Sequence, residues 1–193
     1  MAAQQDLPIV QLPDQDAWRE WLEGNHNSDA GVWLKFAKKG TPTRTVTYGE
    51  AIEEALCYGW IDGQARGYDE HFYLQRFTPR RRRSKWSQIN REKAERLIAD
   101  GRMKPSGHAQ VDAAKADGRW EAAYPAQSAA TVPEDFQREL DANPKAKAFF
   151  DTLKGQARYA FLYRLHNVTR ADARAKRIAG YVELLSEGRT LQE

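Results

Sequence analysis

The chain reads as an α+β protein: an N-terminal module with a small antiparallel sheet packed on helices, followed by a C-terminal helical bundle. Three observations predict this. Apolar residues alternate with polar ones in short runs between residues 31 and 77, the pattern of half-buried strands. Amphipathic helical runs precede, separate and follow those strands. Beyond Thr131 every run repeats its apolar residues at helical spacing, with short connections between runs. The Pro- and Ser-containing stretch Ala122 to Ala130 is the best linker in the chain. The expected division is a module over 1–124, a linker over 125–131 and a helical domain over 132–193.

Each element has its own local cause. Asp14 caps an amphipathic helix carrying Trp18, Trp21 and Leu22 on one face, which Gly24 is expected to end. In GVWLKF (Gly31 to Phe36), Val32, Leu34 and Phe36 alternate with Trp33 and Lys35 as in a strand. Thr47 and Glu50 form a capping box ahead of a helix whose Ile52, Ala55, Leu56 and Gly59 share a face, with Cys57 off that stripe. Trp60–Gln64 and His71–Phe77 read as a strand pair joined by a turn around Gly67, and Pro79 ends the second strand because it lacks an N–H for the ladder. Ser87 is a cap for a helix through Leu97, and a short helix follows from Pro105 to Ala116. In the C-terminal part, Thr131 and Glu134 suggest a second capping box, and Asn143-Pro144 sets a cap before a Pro at the first helical position. Tyr159, Leu162, Tyr163 and His166 share an apolar helical face, which makes His166 a core residue; a last helix opens at Thr169 and buries Ile178, Tyr181, Val182 and Leu185.

Length and composition exclude several classes. With 193 residues, 41% of them hydrophobic, and six Trp, eight Tyr and seven Phe, the chain can bury a core and is not a disordered one. One Cys allows neither an internal disulfide nor a Cys-rich zinc site. The four His (26, 71, 108 and 166) include no pair at the spacing that presents two imidazoles together, so no metal is expected. No phosphate-binding glycine loop or dinucleotide fingerprint is present, so no cofactor is assigned. No run approaches the length of a membrane span, and the first residues lack a basic and an apolar signal region. The expected location is the cytoplasm; the oligomeric state is not set by the sequence.

The charge is unevenly placed. The net charge is +3, yet RFTPRRRRSKW (Arg76 to Trp86) holds six basic residues and no acidic one. Taking those six from the 30 basic residues leaves 24 against 27 acidic, so one short segment sets the sign of the molecule. A second basic bias, Lys154 to Arg177, includes Arg170, Arg174 and Arg177 on one expected exposed stripe.

Several strings are familiar in combination: EEALCYGWIDGQ (Glu53 to Gln64), FYLQRFTPRR (Phe72 to Arg81), WSQINREKAERLIADGRM (Trp86 to Met103) and AKADGRWEAAY (Ala114 to Tyr124). Together with GQARYAFLYRLHNV and ARAKRIAGYVELLSEG in the stretch Val132 to Gly188, they resemble the YdeI/OmpD-associated, or bacteriocin-protection, family. The resemblance implies a role in resistance to bacteriocins, other antimicrobial peptides or envelope stress. It implies no particular reaction. The chain departs from the family's pattern at Arg82 and Lys85, where a Pro and an apolar residue are common, and its loop is more cationic for it.

Two sets of residues are candidates for chemistry. Arg76, Arg80, Arg81, Arg83, Lys85 and Trp86 could bind an anionic ligand, with guanidinium groups clasping phosphates and Trp86 stacking on a base. That makes nucleic acid the alternative partner. Cys57, Tyr58, Trp60, Asp62, Gln64 and His71 could line a small-molecule pocket, with Trp60, Asp62 and Gln64 on one strand face, or form a thiol relay of Cys57, Asp62 and His71. Cys57 lies near a helix C-terminus, whose dipole disfavours a thiolate. Binding is therefore expected ahead of catalysis.

Overall fold

The computed structural model describes residues 7–191. They fall into two compact units, one ending at Ala123 and the other beginning at Tyr124. Among the described residues no helix is long and apolar enough to cross a membrane.

The first unit is built on a four-stranded sheet, β1 (Ile9–Val10), β2 (Val32–Ala37), β3 (Trp60–Gly67) and β4 (Phe72–Pro79), in the order β1-β2-β4-β3. The sheet is mixed, not purely antiparallel: β1 runs parallel to β2, with Ile9 opposite Trp33. Two residues are too few to leave a periodic signal, so β1 has no trace in the sequence pattern. The other two pairings are antiparallel, Val32 facing Phe77 and Trp60 facing Pro79, and Pro79 is the last residue of β4. Helices α1 (Gln15–Asn25), α2 (Tyr48–Cys57), α3 (Gln88–Ala99) and α4 (Pro105–Ala116) complete the unit.

Capping fixes most helix starts as the sequence predicts. The Asp14 side chain accepts from Ala17 N–H, Ser87 accepts from Asn90 N–H, and Thr47 and Glu50 form the reciprocal box. Helix α1 runs one residue past Gly24 and is capped by His26. Gly59, at φ +75°, supplies the left-handed turn that sends the chain from α2 into β3. One face of the sheet, including Leu34, Phe36 and Phe77, packs with Trp18, Leu22, Ile52, Leu56 and Trp60 into one core. Helix α2 touches α1, β3, α3 and α4, so it is covered on nearly every side. That explains why Cys57 and Glu54, which lie off the apolar stripe, are buried with it.

The second unit contains α5 (Glu134–Asp141), α6 (Pro144–Thr152), α7 (Gly155–His166) and α8 (Ala171–Ser186), with a short 3-10 turn at Gln127–Ala129. Its core is Phe136, Leu140, Phe150, Phe161, Leu165, Ile178, Tyr181 and Leu185. Asn143 caps α6 as expected, accepting from Ala146 N–H. Four expectations are corrected here. The Thr131–Glu134 box does not form: α5 starts after Pro133 with no side-chain cap, because a residue ahead of Pro is steered away from helical geometry. Helix α8 starts after Arg170, not at Thr169, and also lacks a side-chain cap. His166 is exposed rather than a core residue, and Arg174 is drawn off the expected stripe into an ion pair with Asp135.

Candidate anion-binding surface

The Arg76–Trp86 segment separates into an anchor and an exposed tip. Arg80 and Trp86 are the anchor. Trp86 is only 2% exposed and meets Trp120 edge-on at 4.8 Å. The Arg80 guanidinium lies 3.6 Å over the Trp86 ring, and its Nη1 donates to the Lys85 carbonyl at 3.1 Å. A cation stacked on an indole away from water is strongly held. The indole of Trp86 is thus spent inside the fold and offers no face to a base. Two further bonds extend the anchor: Arg80 N–H donates to Gly59 O at 2.9 Å, and the Arg119 side chain donates through Nη1 to Ser84 O at 2.9 Å.

The tip is a tight turn. Ser84 N–H donates to Arg81 O at 2.8 Å, and Arg81 N–H donates to the Ser84 hydroxyl at 2.9 Å. This turn holds Arg81, Arg82 and Arg83 in solvent, with Lys85 exposed beside them. Among the described residues, none of Arg81, Arg82 and Arg83 forms an ion pair with a carboxylate. Asp117 feels the Arg82 charge, but its carboxylate is hydrogen-bonded to Arg119, which is the main reason its pKa is lowered. Partial burial pushes the Lys85 ammonium below its ordinary pKa. Adjacent guanidinium groups repel one another, and an anion laid across them relieves that repulsion.

Arg76 belongs to neither part. It lies on β4 opposite Trp33, on the sheet face away from the main core, and its Nε is buried with no hydrogen-bond partner among the described residues.

The second candidate set does not assemble. Cys57 is 1% exposed, and burial, with the Glu54 charge adding to it, pushes its thiol up to about 11, so it stays protonated at neutral pH. His71 is exposed at the far end of the β3–β4 hairpin, seven residues of strand from Trp60, roughly 20 Å at 3.3 Å per residue. No Cys57–Asp62–His71 relay exists. Asp62 instead accepts from the Tyr48 hydroxyl at 2.7 Å. Tyr58 donates to Glu23 at 2.5 Å, and the Trp60 indole donates to His26 O at 3.1 Å, so both polar ends are engaged within the fold. Gln64 does not share a face with Trp60 and Asp62, because a bulge between Asp62 and Ala65 breaks the alternation and leaves it exposed.

Sequence reasoning missed the strongest polar cluster. Glu54, 2% exposed, accepts from Gln15 at 2.6 Å, from Arg19 Nε and Nη2 at 3.1 and 2.9 Å, and from Arg102 Nη2 at 2.6 Å. Burial opposes its charge, but the hydrogen bonds from Arg19, Gln15 and Arg102 outweigh it and hold the carboxyl below its ordinary value. Neighbouring Glu53 takes Arg96 and Arg102. The cluster is saturated by its own chain and joins α1, α2 and the segment between α3 and α4. No group of three or more His, Cys, Asp or Glu placed to hold a metal ion occurs among the described residues.

Comparison with known families gives two matches. Residues 10–110 match the family described as Domain of unknown function (DUF8412), and residues 129–188 match the family described as Bacteriocin-protection, YdeI or OmpD-Associated. No curated protein and no solved structure matches the chain.

Proposed function

Because the chain belongs to the DUF8412 family and carries a YdeI/OmpD-associated, bacteriocin-protection domain in its C-terminal part, we propose that it protects cells against bacteriocins and related antimicrobial peptides by binding an anionic partner. Arg81, Arg82, Arg83 and Lys85 are the contact residues, and the site of action is the cytoplasm. Arg80 and Trp86 hold the loop in shape and do not touch the partner. A bacteriocin-protection role is supported at the level of the family; the binding mode rests on one observation. Three consecutive guanidinium groups stand in solvent on a pinned turn, with no carboxylate ion-paired to any of them among the described residues. Guanidinium groups suit phosphate and carboxylate oxygens, and their binding is weakened by salt as counterions are displaced.

The test pairs a binding assay with a survival assay. Wild-type protein is expected to stay on a heparin column at low salt, and the triple variant Arg81→Ser, Arg82→Ser, Arg83→Ser to elute at a clearly lower salt concentration. In a strain lacking the gene and challenged with a cationic antimicrobial peptide, the wild-type gene should restore survival and the triple variant should not. Equal retention of the two proteins, or equal rescue by the two genes, overturns the proposal.

A further inference from the structure

The register of the sheet sorts its side chains into two faces. Val32, Leu34, Phe36, Tyr73 and Phe77 point to the core of the first unit. The opposite face carries Ile9, Trp33 and Lys35 on β1 and β2, Phe72, Leu74 and Arg76 on β4, and Ile61 and Arg66 on β3. Three of these are cations and none is a carboxylate. Asp62, next to Ile61, lies on the core side opposite Phe77; Asp69 and Glu70 sit in the hairpin turn, where Asp69 accepts from the backbone N–H groups of His71 and Phe72 and its carboxylate also feels the Lys35 charge.

Two of the three cations on this face sit over aromatic rings. The Arg66 guanidinium is 4.2 Å from the Trp33 ring centroid; the Lys35 ammonium is 4.0 Å from that of Phe72 and 4.5 Å from that of Tyr68. Stacking fixes both charges; Arg66 is exposed, and Lys35 is half-buried between its two rings. Arg76 and Arg66 are diagonal neighbours across β4 and β3, as are Arg76 and Lys35 across β4 and β2, a separation of about 7–8 Å. The Arg76 Nε is enclosed and has no partner among the described residues, so contact with an anion falls to its Nη groups. Tyr68, with Lys35 against one side of its ring, is still 49% exposed.

We infer that this outward sheet face is a second anion site, and that its ligand is a single-stranded nucleic acid: phosphates on Lys35, Arg66 and Arg76, and a base stacked on Tyr68. The inference rests on the reading that the chain binds an anionic partner, and names that partner's class. Cations spread over three neighbouring strands of one face fit a backbone laid across the surface. Paired bases in a duplex stay stacked on one another and cannot reach Tyr68. An anionic membrane or an acidic peptide supplies charge but no base to stack.

The probe is a fluorescently labelled single strand of about 16 nucleotides, long enough to cover one such platform. Its anisotropy is followed with the full chain across a salt series, alongside a duplex, inorganic polyphosphate and phosphatidylglycerol vesicles as competitors. Wild type is expected to prefer the single strand over all three. The double variant Arg66→Gln, Arg76→Gln should lower the slope of log affinity against log salt by about 0.7 for each phosphate contact removed. Tyr68→Ala, at an exposed turn where folding is not at stake, should weaken the single strand about tenfold and leave polyphosphate binding unchanged. If Tyr68→Ala has no effect, or if polyphosphate, the duplex or the vesicles compete as well as unlabelled single strand, the inference falls. Should binding survive these variants and vanish only in the Arg81–Arg83 triple variant, the inference falls while the proposed function stands. If wild type binds no polyanion at low salt, both fall.

Discussion

A single residue shows how closely the first unit is packed around the buried thiol. A Cβ added at Gly107 would lie 2.2 Å from Cys57 O and 2.4 Å from Met103 Sδ, whereas one added at Gly180, at an exposed position of α8, would meet nothing within 4 Å. Gly107→Ala is therefore expected to destabilise the protein by about 2 kcal/mol or more, since backbone must move. Gly180→Ala should stabilise by roughly 0.5–1 kcal/mol through helix propensity. Urea midpoints of the two variants measure the contrast, and equal shifts would contradict it. The same enclosure predicts a silent cysteine. With its thiol pushed up to about 11, Cys57 should resist an alkylating agent at neutral pH until denaturant is added. Reaction of the folded protein within minutes, followed by mass spectrometry, would show the site to be open.

Between elements, the Glu54 cluster is the firmest polar tie in the first unit. Replacing Glu54 with Leu leaves Arg19 and Arg102 without their shared acceptor. Their side chains are 41% and 33% exposed and can turn toward water, so the expected loss is ~2 kcal/mol, below the roughly 3–5 of a fully enclosed pair. The pH dependence follows from the direction of the shift. The folded carboxyl titrates below its ordinary value of 4.5, so its contribution is complete above that value. It is lost as the pH falls through the lower folded value. Urea unfolding from about pH 7 to about pH 3 should show wild type losing more stability than Glu54→Leu. Parallel curves for the two proteins would refute the role given to this carboxylate. This cluster also marks the limit of what the sequence made legible. Caps at Asp14, Thr47, Ser87 and Asn143 and the alternation in β2 and β4 were readable, because each depends on residues within a turn or two. Glu54, β1 and the bulge at Asp62–Ala65 depend on partners 35 to 48 residues away or on register between strands, which no local pattern encodes. The candidate loop was legible as charge, but its division into a buried Arg80–Trp86 anchor and an exposed Arg81–Arg83 tip required the fold.

At the scale of the molecule, two separate cores stand behind the two family matches. The larger gathers residues from Trp18 to Ala123, the smaller from Phe136 to Leu185. The smaller core is rich in aromatic rings. Phe150 meets Phe136 edge-on at 5.3 Å and Phe161 at 6.0 Å, while Phe161 meets Tyr181 at 5.1 Å. Such edge-to-face pairs add about 0.5–1.5 kcal/mol each beyond the area they bury. The Arg174–Asp135 pair ties α8 to α5, and Arg174 Nη1 also donates to Leu165 O, reaching α7. A unit of this length lies near the lower limit for independent folding, so its stability should depend on each of those rings. A fragment spanning 124–193 is expected to fold alone, with helical circular dichroism and one cooperative thermal transition. Phe150→Ala in that fragment removes the ring common to two of the three pairs, at a cost of about 3–5 kcal/mol, enough to abolish the transition. A fragment that melts without cooperativity, or one in which Phe150→Ala melts like the parent, would mean that the C-terminal unit does not hold itself together through this core.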